Sequence, residues 1–273
     1  MPNFSILKPF AGIFYKPGKV YKIPFGPLKG IKLLYQKNIN IQYLIGKMDR
    51  DQISLLLKLF RDFGLDKKKL TVADVGANMG YYSFFFQKYL VPESEIFSFE
   101  PSNMIFDVLE KNKEANKAFN VKCIQAACGD KVGEISFYTG EDHHYSSLMQ
   151  DWSINQASVV KQTVKAITLD DFFLNGQKSA PDLIKMDIEG GAVLALPGCA
   201  QCISTKRPFM LIESHTLDED KIIGDTLIKY NYDALRVSTR KWVINKSNNY
   251  RDPDGVWGTM LLIPNELKNK FTI

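Results

Sequence analysis

The sequence predicts an α/β fold built on a doubly wound, mostly parallel seven-stranded sheet, with an N-terminal cap and a β-rich insertion. Three observations carry this reading. Short apolar runs alternate with segments of helical periodicity from residue 51 onward, and the first run ends in a glycine-containing turn that passes straight into a helix. The composition, 45% hydrophobic and 24% charged, is that of an ordinary globular chain able to bury such a sheet. A length of 273 residues allows one sizeable domain plus a short extension.

Residues 1–50 form the extension. Pro9, Pro17, Pro24 and Pro27 interrupt short β-prone runs such as Lys19-Val20-Tyr21-Lys22-Ile23, which suits an extended or hairpin-like cap. The main domain is placed at 51–273. Ile53, Leu56, Leu57, Phe60 and Phe63 recur at helical spacing and lead into it. Strands are expected at 70–75, 95–99, 121–124, 182–187, 208–212, 232–237 and 257–263. Helices are expected at 82–89, 102–118, 192–203 and 218–230. Strands joined through helices require right-handed crossovers and hence a parallel sheet covered on both faces. Between residues 132 and 168 the pattern turns β-rich, with pieces at 134–138 and 159–167 around a polar loop, His143-His144-Tyr145-Ser146-Ser147. Such an insertion is a candidate substrate wall or lid.

Lys and Arg exceed Asp and Glu by 35 to 30, too small a surplus for a dedicated nucleic-acid surface. The four cysteines include one C-x-x-C, Cys199 and Cys202, flanked by residues of helix-packing type, so neither a zinc knuckle nor a redox role is expected. No run of roughly 18 apolar residues occurs and no charged stretch leads into an apolar one at the N-terminus, so a cytoplasmic protein without a membrane span is expected.

Ligands of open parallel sheets bind outside the carboxyl ends of the strands. The first strand ends in Asp74-Val75-Gly76-Ala77-Asn78-Met79-Gly80 and the second in Phe99-Glu100-Pro101. A dinucleotide loop needs G-x-G-x-x-G, and here Asn78 and Tyr81 stand where the second and third glycines belong. Asp74 would repel a phosphate, yet it could accept from the ammonium of an amino-acid ligand. Glu100, 26 positions later, could accept from both hydroxyls of a ribose. Together they fit S-adenosylmethionine, which has the ammonium, the ribose and no phosphate. Gly76, Ala77, Asn78, Gly80 and Tyr81 in the loop, Pro101 and Ser102 after Glu100, and Gln125 and Ala126 after the third strand complete the expected cofactor set.

The sequence resembles the FkbM family of methyltransferases through residues 74–83, Phe99-Glu100-Pro101, Thr168-Leu169-Asp170 and 182–190, with further likeness at 24–30, 43–47, Arg207-Pro208 and Glu213. The resemblance covers nearly the whole chain. It implies the class I methyltransferase fold and O-methylation, often of a sugar or glycosylated natural product. One departure stands out: the family usually follows Asp-x-Glu-Gly with Ala-Glu, whereas Gly191-Ala192 follow here, so the second acid of that pattern is absent.

A hydroxyl acceptor needs a general base, or a metal that acidifies it. Lys185, Asp187 and Glu189 alternate along one strand, and Glu213 and His215 close the next. Asp187, Glu213, His215 and Lys185 are therefore the candidate catalytic set, with His215 or Asp187 as base. Asp187 and Glu213 are the candidate ligands should magnesium or manganese take part. The expected acceptor is a small molecule or glycan. The competing readings are an RNA ribose methyltransferase, whose lysine-and-acid sets Lys185, Asp187 and Glu213 partly resemble, and a non-catalytic binding module of methyltransferase-like fold.

Overall fold

A computed structural model of the chain describes residues 15–36, 39–140, 146–147, 159–243 and 257–272. The N-terminal segment is a hairpin, β1 (Val20–Lys22) antiparallel to β2 (Lys32–Leu34), followed by the short helix α1 (Ile41–Leu44) and the long helix α2 (Arg50–Phe63). The strands and helices then alternate as β3 (Thr71–Val75), α3 (Tyr81–Tyr89), β4 (Glu95–Phe99), α4 (Asn103–Asn116) and β5 (Val121–Ile124). A second sheet interrupts them, formed by β6 (Ala127–Cys128), β7 (Gly133–Gly140), β8 (Ser146–Ser147) and β9 (Val159–Ile167). The alternation resumes with β10 (Leu183–Met186), α5 (Ala192–Ala195), α6 (Ala200–Lys206), β11 (Phe209–Ser214), α7 (Leu217–Lys229), β12 (Tyr232–Arg236), β13 (Lys241–Trp242) and β14 (Gly258–Pro264).

The main sheet runs β13-β12-β14-β11-β10-β3-β4-β5. Strands β5 to β11 pair in parallel, and β14 inserts antiparallel between β11 and β12. The seven expected strands are present, and β13 adds an eighth at the edge, two residues too short to leave a period-2 signal. Every residue of β3 and β10 is buried, the mark of central strands covered on both faces. Alternate residues of β3 enter different cores: Val72 faces α2 to α4, while Ala73 and Val75 face α5 to α7. Fully buried phenylalanines such as Phe84, Phe85, Phe97 and Phe173 dominate the filling, each contributing about 1.5–3 kcal/mol.

Two local differences from the sequence reading have simple causes. The helix expected at 192–203 is broken into α5 and α6 by a 3-10 turn at Pro197–Cys199, because Pro197 lacks the N–H that would continue the ladder. The N-terminal segment has no core of its own among the described residues: Ile23, Leu28 and Leu33 join the same cluster as Leu56, Phe84 and Leu109. The Leu34 and Lys32 amides donate to the side chains of Asn112 and Asn116 on α4, and Lys88 of α3 donates to the carbonyls of Pro27 and Lys29.

Candidate active site

The order of the sheet reverses between β3 and β10, and the tips of these two strands meet at a cavity of about 930 Å³, including its open mouth. One wall is the turn after β3. Gly76 and Gly80 have φ of 72° and 91°, and Asn78 is also left-handed at 49°. A Cβ on Gly76 would lie 1.9 Å from the Asp187 carbonyl oxygen, so only glycine lets the two strand ends approach this closely.

The amides of this turn are consumed by the fold. Gly76 and Ala77 donate to Phe99 O, Asn78 to Glu100 Oε2, Met79 to Asn78 Oδ1 and Gly80 to Ala77 O. All five amides from Gly76 to Gly80 thus have partners within the fold, and a phosphate would find none of them free. Glu100 accepts from Asn78 and, at 2.9 Å, from the Ser102 amide, which leaves one lone pair on each carboxylate oxygen for a diol. Burial pushes its carboxyl up to about 7, against those two hydrogen bonds. Gly76, Ala77, Asn78, Tyr81, Glu100, Pro101 and Ala126 line the cavity.

The remaining members of the expected cofactor set do not. Gly80 packs under the Phe84 ring, and Ser102 is buried at the start of α4. Gln125 is exposed and turned outward, donating to Asn103 Oδ1. Asp74 is the largest correction. Its carboxylate is fully buried behind the wall because cross-strand register sets it between Ser98 on β4 and Lys185 on β10. Ser83 donates to it at 2.6 Å, and the Lys185 ammonium lies 3.6 Å from its Oδ1. It cannot meet a ligand ammonium directly; it holds the lysine that does line the cavity.

Lys185 is buried, donates to Gly76 O at 3.0 Å and lies 3.8 Å from Asp187 Oδ2. Burial opposes its charge, but Asp187, Asp74, Glu213 and Asp49 outweigh burial and raise its pKa. Asp187 lies just beyond the β10 tip on the cavity wall, its Oδ1 3.0 Å from His215 Nε2, and His215 Nδ1 is 3.4 Å from Glu189 Oε2. For Asp187, burial is outweighed by Lys185 and His215, which hold its carboxyl below the ordinary range. For His215, burial is outweighed by the Asp187 bond and the surrounding carboxylates, which raise it to about 9. Glu213, from the same strand, is raised to about 7 by burial and by Asp187. The four candidate catalytic residues are thus brought together as one network.

Asp187, Glu213 and His215 each offer a donor atom within 4.8 Å of the others. The same groups form the His215–Asp187 bond and the Lys185–Asp187 ion pair, so an ion held by Asp187, Glu213 and His215 would exchange that bond for coordination. The second grouping, Asp170, Cys199 and Cys202, is a helix cap: both Asp170 oxygens accept amides, from Gln201 and Cys202 at 2.8 Å, and both cysteines are buried.

Sequence reasoning missed Tyr43 and Asp49, which reach the cavity from the N-terminal segment. The likeness noted at 43–47 was the one signal for Tyr43, and Asp49, two residues beyond it, had none. Tyr81 donates to Met48 O at 3.0 Å and packs edge-on against Tyr43 with centroids 4.9 Å apart, tying this segment to helix α3. His143 and His144 lie outside the described residues. Ser146 and Ser147 form β8, paired with Thr139 and Tyr138. No helix among the described residues is long and apolar enough to cross a membrane.

The family model of the methyltransferase FkbM domain matches residues 74–237. Hexuronic acid methyltransferase AglP of Haloferax volcanii is 24% identical over 177 residues, 65% of this chain and 67% of that protein. Methyltransferase sdnD of Sordaria araneosa is 30% identical over 98 residues, 34% of this chain and 37% of that one. A crystal structure of methyltransferase FkbM from Methylobacillus flagellatus KT aligns with a TM-score of 0.47 at 17% identity, over 71% of this chain and 43% of the other. The chain therefore spans less than half of sdnD and of the crystallised protein.

Proposed function

The chain belongs to the FkbM methyltransferase family, and from that membership we propose that it transfers a methyl group from S-adenosylmethionine to a hydroxyl of a sugar, glycan or glycosylated metabolite. The observation that carries the reading is the junction at one cavity of two unlike walls: a loop with no free amide beside the Glu100 carboxylate, and the Asp187–His215 pair at the next strand tips. The donor supplies the methyl on a sulfonium sulfur. Glu100 would hold the ribose diol, and the Gly76–Asp187 contact fixes the distance between the donor-side and acceptor-side walls.

On the acceptor side, Lys185 spans Gly76 O, Asp74 and Asp187 and so locks Asp187 against the loop. Asp187 in turn orients His215. The acceptor proton passes to the carboxylates of the coupled set, Asp187 and Glu213, beside a His215 whose raised pKa keeps it protonated; burial and Asp187 raise Glu213 above the ordinary carboxylate range, towards that of a general base. The name of the Haloferax volcanii relative supports a sugar as acceptor.

The test is transfer of labelled methyl from S-adenosylmethionine to a panel of glycosides, nucleotide sugars and RNA, with calorimetric titration of the donor alongside. Label in an alkali-stable ether on a sugar is expected. Absence of donor binding, or label confined to RNA, would sink the reading.

A further inference from the structure

Asp49 is the N-cap of α2, a position where an aspartate ordinarily accepts from the first-turn amides, yet it makes no such bond. Its backbone is left-handed at φ 50°, and its half-buried carboxylate lines the cavity instead, facing the Tyr82 hydroxyl. Tyr43, Tyr81 and Tyr82 stand beside it in edge-to-face contact, and all three line the same cavity. Flat aromatic faces next to a carboxylate are chemistry that suits a polyol: rings cover its C–H faces and the carboxylate accepts from its hydroxyls.

The charge around this surface is one-sided. Asp49, Asp187 and Glu189 line the cavity, with Glu213 and Asp74 close behind them. The cations facing them among the described residues are Lys185 and His215, and each is already held between two carboxylates, Asp74 with Asp187 and Asp187 with Glu189. A methyl donor with one net positive charge leaves a surplus of negative charge. Asp49 itself titrates high because it is buried and because Asp187 is near, which is the response expected of a carboxylate in such a field.

Resting on the methyltransferase reading above, we propose that Asp49 selects the acceptor, and that the site takes an uncharged or amino-bearing sugar while turning away one that carries a carboxylate. The hexuronic acid in the name of the Haloferax volcanii relative would then not carry over to this chain.

The experiment is calorimetric titration of the full chain, saturated with S-adenosylhomocysteine, with p-nitrophenyl β-glucoside, β-glucosaminide and β-glucuronide, which differ at one position each. The glucoside and glucosaminide should bind at least about tenfold more tightly than the glucuronide, the scale of one like-charge encounter. Asp49→Asn, which keeps size and one acceptor oxygen while removing the charge, should narrow that ratio to about threefold or less while leaving the affinity for S-adenosylhomocysteine within about twofold. Equal or tighter glucuronide binding, an unchanged ratio in Asp49→Asn, or binding of none of the three would overturn the proposal. If the neutral glycosides bind in the expected order but accept no methyl group, the charge filter stands and the hydroxyl-transfer reading fails. Methyl transfer to the glucuronide in preference to the glucoside overturns the filter and leaves the methyltransferase reading intact.

Discussion

Gly76 approaches Asp187 so closely that a single methyl group on its Cα would stand 1.9 Å from the Asp187 carbonyl oxygen, with the Ile188 side chain at 2.8 Å. This contact joins the loop after β3 to the end of β10, and the left-handed φ of 72° adds a backbone cost for any other residue. Gly76→Val is expected to lose donor binding in calorimetry and to lower the melting temperature. Retained binding would show that the two strand ends can separate without consequence.

Asp187 is bonded to His215 at 3.0 Å and faces Lys185 at 3.8 Å. Asp187→Asn preserves shape while removing the charge that orients the imidazole. Turnover should fall by about 10²- to 10⁴-fold, the usual contribution of acid–base groups, while donor affinity changes only a few-fold. Single-turnover rates and donor titration separate the two, and wild-type turnover would remove Asp187 from the proton-handling set.

The Asp74–Lys185 pair is buried on both sides, 0% and 6% exposed at the side chains. Lys185→Met leaves the Asp74 carboxylate in the core without its cation, which should cost about 3–5 kcal/mol in denaturant unfolding. Adding Asp74→Asn should recover part of that loss, because neutralising both partners removes the stranded charge. Additive effects in the double variant would mean that the two residues do not stabilise one another.

His215 is raised to about 9 in the fold from an ordinary value of 6.5. A histidine bound more tightly to its proton when folded stabilises fully below pH 6.5, and that stabilisation fades as pH climbs through about 9. The melting-temperature advantage of wild type over His215→Gln should therefore be largest at pH 6 and shrink towards pH 10. A constant difference across that range would place the imidazole outside the Asp187–Glu189 pair.

Because the His215 nitrogen that faces Asp187 is already engaged, turnover is expected to survive exhaustive chelation. Loss of activity restored by magnesium or manganese, but not by calcium, would instead assign Asp187 and Glu213 as ligands.

Much of the architecture was readable in the chain. The central strands announce themselves because burial on both faces demands unbroken apolar runs, as in Phe209-Met210-Leu211-Ile212, and the glycines after β3 mark a turn that other residues resist. The spacing of Glu100 from Asp74 follows from one strand–helix–strand unit, so both strand tips could be placed without coordinates. Sequence periodicity also put Lys185, Asp187, Glu213 and His215 on adjacent tips, since neighbouring parallel strands end at the same edge.

What only the tertiary structure decided is which way each of these groups faces and what arrives from far away in the chain. Asp74 turned inward because register placed it beside Lys185, a pairing across 111 residues that no local pattern encodes. Gln125 turned outward to Asn103, and the amides of the loop were spent on Phe99 and Glu100. Tyr43 and Asp49 entered the site from a segment that reads as a cap, held there by Tyr81 and Tyr82. Strand periodicity follows from local backbone geometry and is written along the chain, whereas the facing of a polar side chain is settled by whichever partner the packed fold sets against it.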